Sequence, residues 1–133
     1  MKKANEVKVG DTFSLQKTCT KYMPIIYAGA GGDFNPIHID PEFGKLVGLG
    51  GNILQGLGTY YFACQTCVDW VGNPKALKRL KVRFANPVRP GDTVTVTGKI
   101  TEVEGKRIKA DLVAKNQAGV EVLNSSFAIF ELE

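Results

Sequence analysis

The stretch from Asn52 to Val71 restricts the fold of this chain more than any other, because its apolar residues run round nearly the whole circumference of a helix. Leu57, Tyr60, Tyr61, Cys64, Cys67 and Val71 recur at three- and four-residue steps, the spacing of one helical face. Phe62, Ala63 and Val68 make the opposite side apolar too. Such a helix is expected to be buried on most of its faces, so other parts of the chain must wrap it. The residues that follow are suited to wrapping. Leu80, Val82 and Phe84 alternate with Lys81 and Arg83, and Val94 and Val96 alternate with threonines. Ile108, Ala110 and Leu112 alternate with polar neighbours, and a last β-rich run extends from Val120 to Leu132. A period of two marks strands with one buried face. Turn residues at Arg89-Pro90-Gly91-Asp92, Glu104-Gly105 and Asn116 to Gly119 separate the runs, so consecutive strands are expected to pair antiparallel.

Ahead of the helix, Asp11 to Cys19 reads as a strand around Phe13 and Leu15. Thr20 is placed to N-cap a short helix over Met23 to Ala28, with Pro24 tolerated in its first turn. No repeat, low-complexity tract or linker interrupts the 133 residues, a length that suits one domain, 1–133. The class is α+β. One long buried helix with four meandering strands after it matches a single hot-dog fold, an antiparallel sheet curled around a central helix.

Charge and cysteines narrow the setting. Seventeen Lys and Arg against 13 Asp and Glu give a net charge of +4, which suits an anionic small-molecule substrate. The basic residues are spread along the chain, with one local cluster from Lys75 to Arg83, and lack the aromatic-interleaved stripe of a nucleic-acid binder. Three cysteines, an odd number, with no signal peptide point to a reducing cytoplasm over a disulfide scaffold. No apolar run approaches membrane-spanning length, so no membrane association is expected.

Chemistry is expected where the glycines concentrate, between Gly29 and Gly58. There the chain's one histidine, His38, stands five residues after Asp33. Asn35-Pro36 between them disfavours helical geometry at Asn35, which places both side chains on a loop able to turn them toward one point. Histidine exchanges protons near neutrality, and a carboxylate can share the work with it. By spacing alone the pair also fits a loop histidine making a structural hydrogen bond. Asn35 fits either a turn stabilised through its own backbone or a place in the active site.

The sequence from Tyr27 to Pro41, with Gly31-Gly32-Asp33-Phe34-Asn35-Pro36-Ile37-His38 at its centre, resembles the signature of the MaoC-like dehydratase family. That family includes (R)-specific enoyl-CoA hydratases and (3R)-hydroxyacyl-thioester dehydratases. The resemblance implies that Asp33 and His38 are the catalytic pair and that no cofactor or metal is needed. It continues through Gly50-Gly51-Asn52-Ile53-Leu54-Gln55-Gly56, similar to the family's entry into its central helix, and through Val82 to Thr93. Gly56 matches the glycine whose amide holds the thioester carbonyl, and helix N-terminal amides do favour developing negative charge. The family commonly places histidine before that glycine. Here Gln55 stands there, implying a changed pocket contact with activity retained.

Other features have plainer readings. Cys64-x-x-Cys67 lies within the expected helix and has no second pair to complete a zinc set, so it reads as core. Gly48-x-Gly50-Gly51 and Gly56-x-Gly58 lack the strand and Lys-Ser/Thr pair of a nucleotide loop. Lys75, Lys78, Arg79, Lys81 and Arg83 suit either the phosphates of coenzyme A, an acidic carrier protein or a solvated strand.

The expectation is therefore a cofactor-free hydro-lyase that reversibly hydrates trans-2-enoyl thioesters of coenzyme A or acyl carrier protein. It would act as a homodimer or higher multiple, or paired with a paralogue. Two rivals remain: a hot-dog thioesterase, which has no need of the Asp-x-Asn-Pro-x-His pattern, and a non-catalytic subunit dependent on an active partner.

Overall fold

Alternation along the strands fixes which face of the sheet is dry. In the computed structural model, which describes residues 1–133, β1 (Thr12–Thr18), β2 (Leu77–Phe84), β3 (Thr93–Glu104), β4 (Arg107–Lys115) and β5 (Glu121–Glu131) form one antiparallel sheet. Val94, Val96 and Ile100 of β3, Ile108, Ala110, Leu112 and Ala114 of β4, and Ala128 and Phe130 of β5 point inward and are buried. Against them lies α4 (Gly56–Val71), which packs on β1, β2 and β3 and buries Phe62, Ala63, Thr66, Cys67 and Val71. The sheet curls around this helix in the hot-dog arrangement, with one contiguous core between them.

A close approach seats one end of the helix on the sheet. Phe13 of β1 pairs with Gly98 of β3, and its ring occupies the space a side chain at Gly98 would take. From there it stacks on Trp70 of α4, ring centroids 4.5 Å apart, and Trp70 meets Phe130 edge-on at 5.1 Å. Offset and edge-to-face contacts of this kind add to plain burial.

The order of strands differs from a meander. It runs β1-β3-β4-β5-β2, so β3, β4 and β5 follow one another as expected, but β2 lies at the far edge beside β5, and β1 takes the place next to β3. Arg89 to Asp92 is consequently no hairpin between neighbours. Residues 85–92 cross the end of the sheet: Val88 is fully buried, its carbonyl accepts from the Leu54 amide at 2.8 Å, and the Gly91 amide donates to Cys19 O at 2.6 Å.

The helices begin and end elsewhere than periodicity suggests. The first, α1 (Met23–Gly31), outruns Ala28 and stops at Gly32, whose φ of 72° suits glycine. Its N-cap is Tyr22 with no side-chain bond, so Thr20 does not cap it. Next come α2 (Pro36–Ile39) and α3 (Pro41–Leu46), each opened by a proline. The central helix starts at Gly56, four residues later than its apolar pattern, because Gln55 before it has a non-helical backbone, φ −55° and ψ 142°. It is also buried on one side only: Leu57 and Tyr61 remain 61% and 51% exposed. Cys67 is core as expected, whereas Cys64 is half-buried.

Candidate active site

Gly32 ends α1 in a left-handed turn, and a short irregular segment carries the chain through Asp33 to Asn35. Asn35 has φ −53° and ψ 127°, the extended geometry a following proline favours. Pro36 itself fits the first position of a helix, where its missing amide has no partner to lose. His38 therefore stands in the single turn α2, a correction to its expected place on a loop, while Asp33 is on the loop as expected. Asn35 closes the turn: its side-chain oxygen accepts from the Ile37 amide at 3.2 Å, and its own amide donates to Asp33 Oδ1 at 3.3 Å.

The fold brings the two expected groups face to face. His38 Nε2 lies 3.6 Å from Asp33 Oδ2, with the imidazole almost wholly buried and the carboxylate 45% exposed. Behind the ring, His38 Nδ1 is 2.8 Å from the carbonyl of Ile53. A carbonyl only accepts, so Nδ1 carries a hydrogen, and in the neutral ring Nε2 presents a lone pair to Asp33. At 3.6 Å the two acceptors are just beyond direct hydrogen-bond distance, and a donor set beside them can reach both.

The segment just before α4 builds this orientation. Asn52 Nδ2 donates to His38 O at 2.8 Å, and the Ile53 amide donates to Ile37 O at 3.0 Å. Gln55, 1% exposed, donates from Nε2 to Pro24 O of α1 at 2.8 Å, which ties the helix leading to Asp33 to the start of α4. Its Oε1 is buried without a partner. Nothing in periodicity or composition marks Asn52 and Ile53 as supports of His38, since one acts through a long-range side-chain bond and the other through its backbone.

His38 opens onto a cleft of about 280 Å³, lined also by Ile53, Leu54, Gly56, Thr59 and the chain from Phe84 to Val88. Gly56 is the first residue of α4, so its amide has no partner within the helix. A side chain there would meet the Phe84 ring at 3.4 Å, so the helix start and the ring lie close together. Of the four expected site residues, His38 and Gly56 line one cleft, Asp33 faces the His38 ring, and Asn35 caps the turn between Asp33 and His38. The cysteines lie apart, and no group of three or more His, Cys, Asp or Glu side chains is close enough to hold a metal ion. The basic residues Lys78, Arg79, Lys81 and Arg83 are exposed on the edge strand β2. No helix is long and apolar enough to cross a membrane.

A sheet wrapped around one helix, with a carboxylate facing an imidazole that lines a cleft beside the helix N-terminus, defines a hot-dog protein. The chain belongs to the MaoC-like family, whose domain profile matches residues 3–122. It is 37% identical over 127 residues to a probable enoyl-CoA hydratase 2 of Dictyostelium discoideum, an alignment covering 91% of this chain and 40% of that protein. A peroxisomal enoyl-CoA hydratase 2 of Arabidopsis thaliana is 44% identical over 81 residues, 58% of this chain and 25% of the relative. The chain thus spans well under half the length of these relatives. Unliganded R-hydratase PhaJ1 from Pseudomonas aeruginosa superposes with a TM-score of 0.90 at 22% identity, over 98% of this chain and 86% of that one, and shares the fold.

Proposed function

We propose that the chain is a hydro-lyase that adds water reversibly across the double bond of a trans-2-enoyl thioester, giving a (3R)-hydroxyacyl thioester. The observation that carries this reading is the 3.6 Å opposition of Asp33 Oδ2 and His38 Nε2 at a cleft that also holds the free amide of Gly56. A water set beside the pair donates a hydrogen to each acceptor and is thereby aimed. As its oxygen bonds to C3 of the substrate, one acid–base group takes its proton, and the π pair shifts through C2 onto the thioester oxygen. The electron pair then returns to C2 and takes up the proton that the acid–base pair removed from the water, which completes the addition and restores the pair. The charge on that oxygen is transient, and the Gly56 amide at the positive end of a 16-residue helix is suited to stabilise it. In this scheme Asp33 and His38 are catalytic and Gly56 forms the oxyanion hole. Asn35 holds the Asp33–His38 turn in shape. The carrier of the acyl chain in this reading is coenzyme A or acyl carrier protein.

The exposed apolar residues Ile26, Leu57 and Tyr61 of α1 and α4, together with the unpaired edge of β2, support a second hot-dog unit against this flank, from a second copy or a paralogue. Incubating the purified protein with crotonyl-CoA tests the reading. Loss of the enoyl absorbance with formation of (3R)-hydroxybutyryl-CoA is expected. Release of free thiol without hydration would favour the thioesterase, and neither product would favour the partner-dependent subunit.

A further inference from the structure

We propose that the hydroxyl of Thr59 is a second hydrogen-bond donor to the substrate's thioester carbonyl, beside the amide of Gly56, on the reading that this cleft receives a thioester. Thr59 is 4% exposed and lines the cleft with His38 and Gly56. It follows Gly56 by three residues in α4, about 4.5 Å along the axis and on nearly the same face. Side chains on a helix lean toward its N-terminus, so Thr59 leans back over the turn that Gly56 opens.

What sets this hydroxyl apart is that the helix has no place for its hydrogen. A buried helical threonine ordinarily donates to the carbonyl one turn back, and Thr66 in the same helix does so, to Phe62 O at 2.7 Å. The equivalent acceptor for Thr59 is Gln55 O, which already accepts from the amides of Gly58 at 2.9 Å and Thr59 at 3.2 Å. A carbonyl has two lone pairs, and both are taken. His38 Nδ1 is committed to Ile53 O, and Asn86 Nδ2 spends one of its two hydrogens on Glu121 O, outside the helix. Thr59 is therefore the uncommitted hydroxyl of the cleft, on the helix end where an oxyanion would form. The hydroxyl faces the cleft with no protein partner, so a carbonyl placed against it can accept its hydrogen.

The test compares Thr59→Val, which keeps the shape, with Thr59→Ser, which keeps the hydroxyl, and with Thr59→Ala as a second hydroxyl-free variant should Val disturb folding. Butyryl-CoA labelled with carbon-13 at its carbonyl is the binding probe, since it has no double bond to hydrate. In difference infrared spectra its bound carbonyl stretch should lie lower in wild type and Thr59→Ser than in Thr59→Val or Thr59→Ala. With crotonyl-CoA, removing one donor should lower kcat on the order of 10²-fold while KM changes little, and Thr59→Ser should recover most of the rate. A bound carbonyl frequency unchanged by loss of the hydroxyl overturns the proposal, whatever the rates. If wild type binds butyryl-CoA but leaves crotonyl-CoA unhydrated, the hydro-lyase reading falls while the carbonyl frequency still decides the role of Thr59. If no thioester binds, both fall.

Discussion

At the scale of single residues, the site depends on which atoms have hydrogens left to give or lone pairs left to receive them. His38 has its Nδ1 hydrogen held by Ile53, which leaves Nε2 for Asp33 and whatever lies between them. Asp33→Asn and His38→Gln each remove one acid–base partner at nearly constant volume. Each should leave a folded protein that still binds acyl thioester, with kcat for hydration reduced about 10²- to 10⁴-fold. The double variant should be little worse than the poorer single one, because in the proposed scheme the two groups act on the same water. Near wild-type hydration by a folded His38→Gln protein would remove the chemical basis of the assignment. The buried thiols make a separate prediction. Desolvation, with a smaller contribution from Cys64, pushes Cys67 from 9.0 to about 12, and desolvation with Asp92 pushes Cys19 to about 11. Both thiols should resist iodoacetamide at pH 8 until the protein unfolds. Since their folded values are raised, the stability they contribute is complete below pH 9, the unfolded value, and is lost as pH climbs toward 11 and 12. Denaturation midpoints measured from pH 8 to pH 11 should therefore fall less steeply in Cys67→Ala than in wild type, and equal slopes would contradict this.

Between helices, the arrangement depends on a tight loop closure. Gly44 of α3 packs against the carbonyl of Gly51, and a side chain at 44 would run into that backbone oxygen and the Asn52 amide. Backbone cannot swing aside as a side chain can. Asn52 and Ile53, which hold His38, follow directly, so the same loop carries the support of the imidazole. Gly44→Ala should cost about 1–3 kcal/mol in stability by overpacking and should also reduce hydration in the folded fraction. A denaturation curve and a rate per folded molecule check the two parts separately. A variant as stable as wild type would show that this loop yields more readily than its geometry suggests. Gln55 acts between elements too, and its bond to Pro24 O gives a physical content to the departure from histidine at that position: it clamps α1 onto the start of α4.

For the molecule as a whole, the apolar helix predicts more protein than one chain provides. Leu57 and Tyr61 belong to the face that periodicity called buried, and in the single chain they stand 61% and 51% exposed beside Ile26 at 68%. Apolar patches of this kind mark contact surfaces. Multi-angle light scattering should report twice the 14.4 kDa mass of the chain, or a multiple of that. A monomer fully active on enoyl thioester would count against the assembly, and a chain active only after a paralogue is added would assign it to a heteromer.

Local pattern was enough for much of this protein. Strand period, the central helix and the Asp33–His38 motif are short-range properties, and each is legible because a few neighbouring residues determine it. Even so, the motif's spacing could not tell a catalytic pair from a structural histidine, and only the resemblance to a family weighed between them. Tertiary structure decided where the helix begins: amides at 53 and 54 bond to Ile37 and Val88, far apart in sequence, and the segment so anchored reaches Gln55 with a non-helical ψ of 142°. It also decided that β2 pairs with β5 across the sheet, because crossing residues 85–92 bury Val88 in place of turning a hairpin. The supports of His38 and the free hydroxyl of Thr59 belong to the same class: each depends on which distant carbonyl is near, and on whether its lone pairs are already taken.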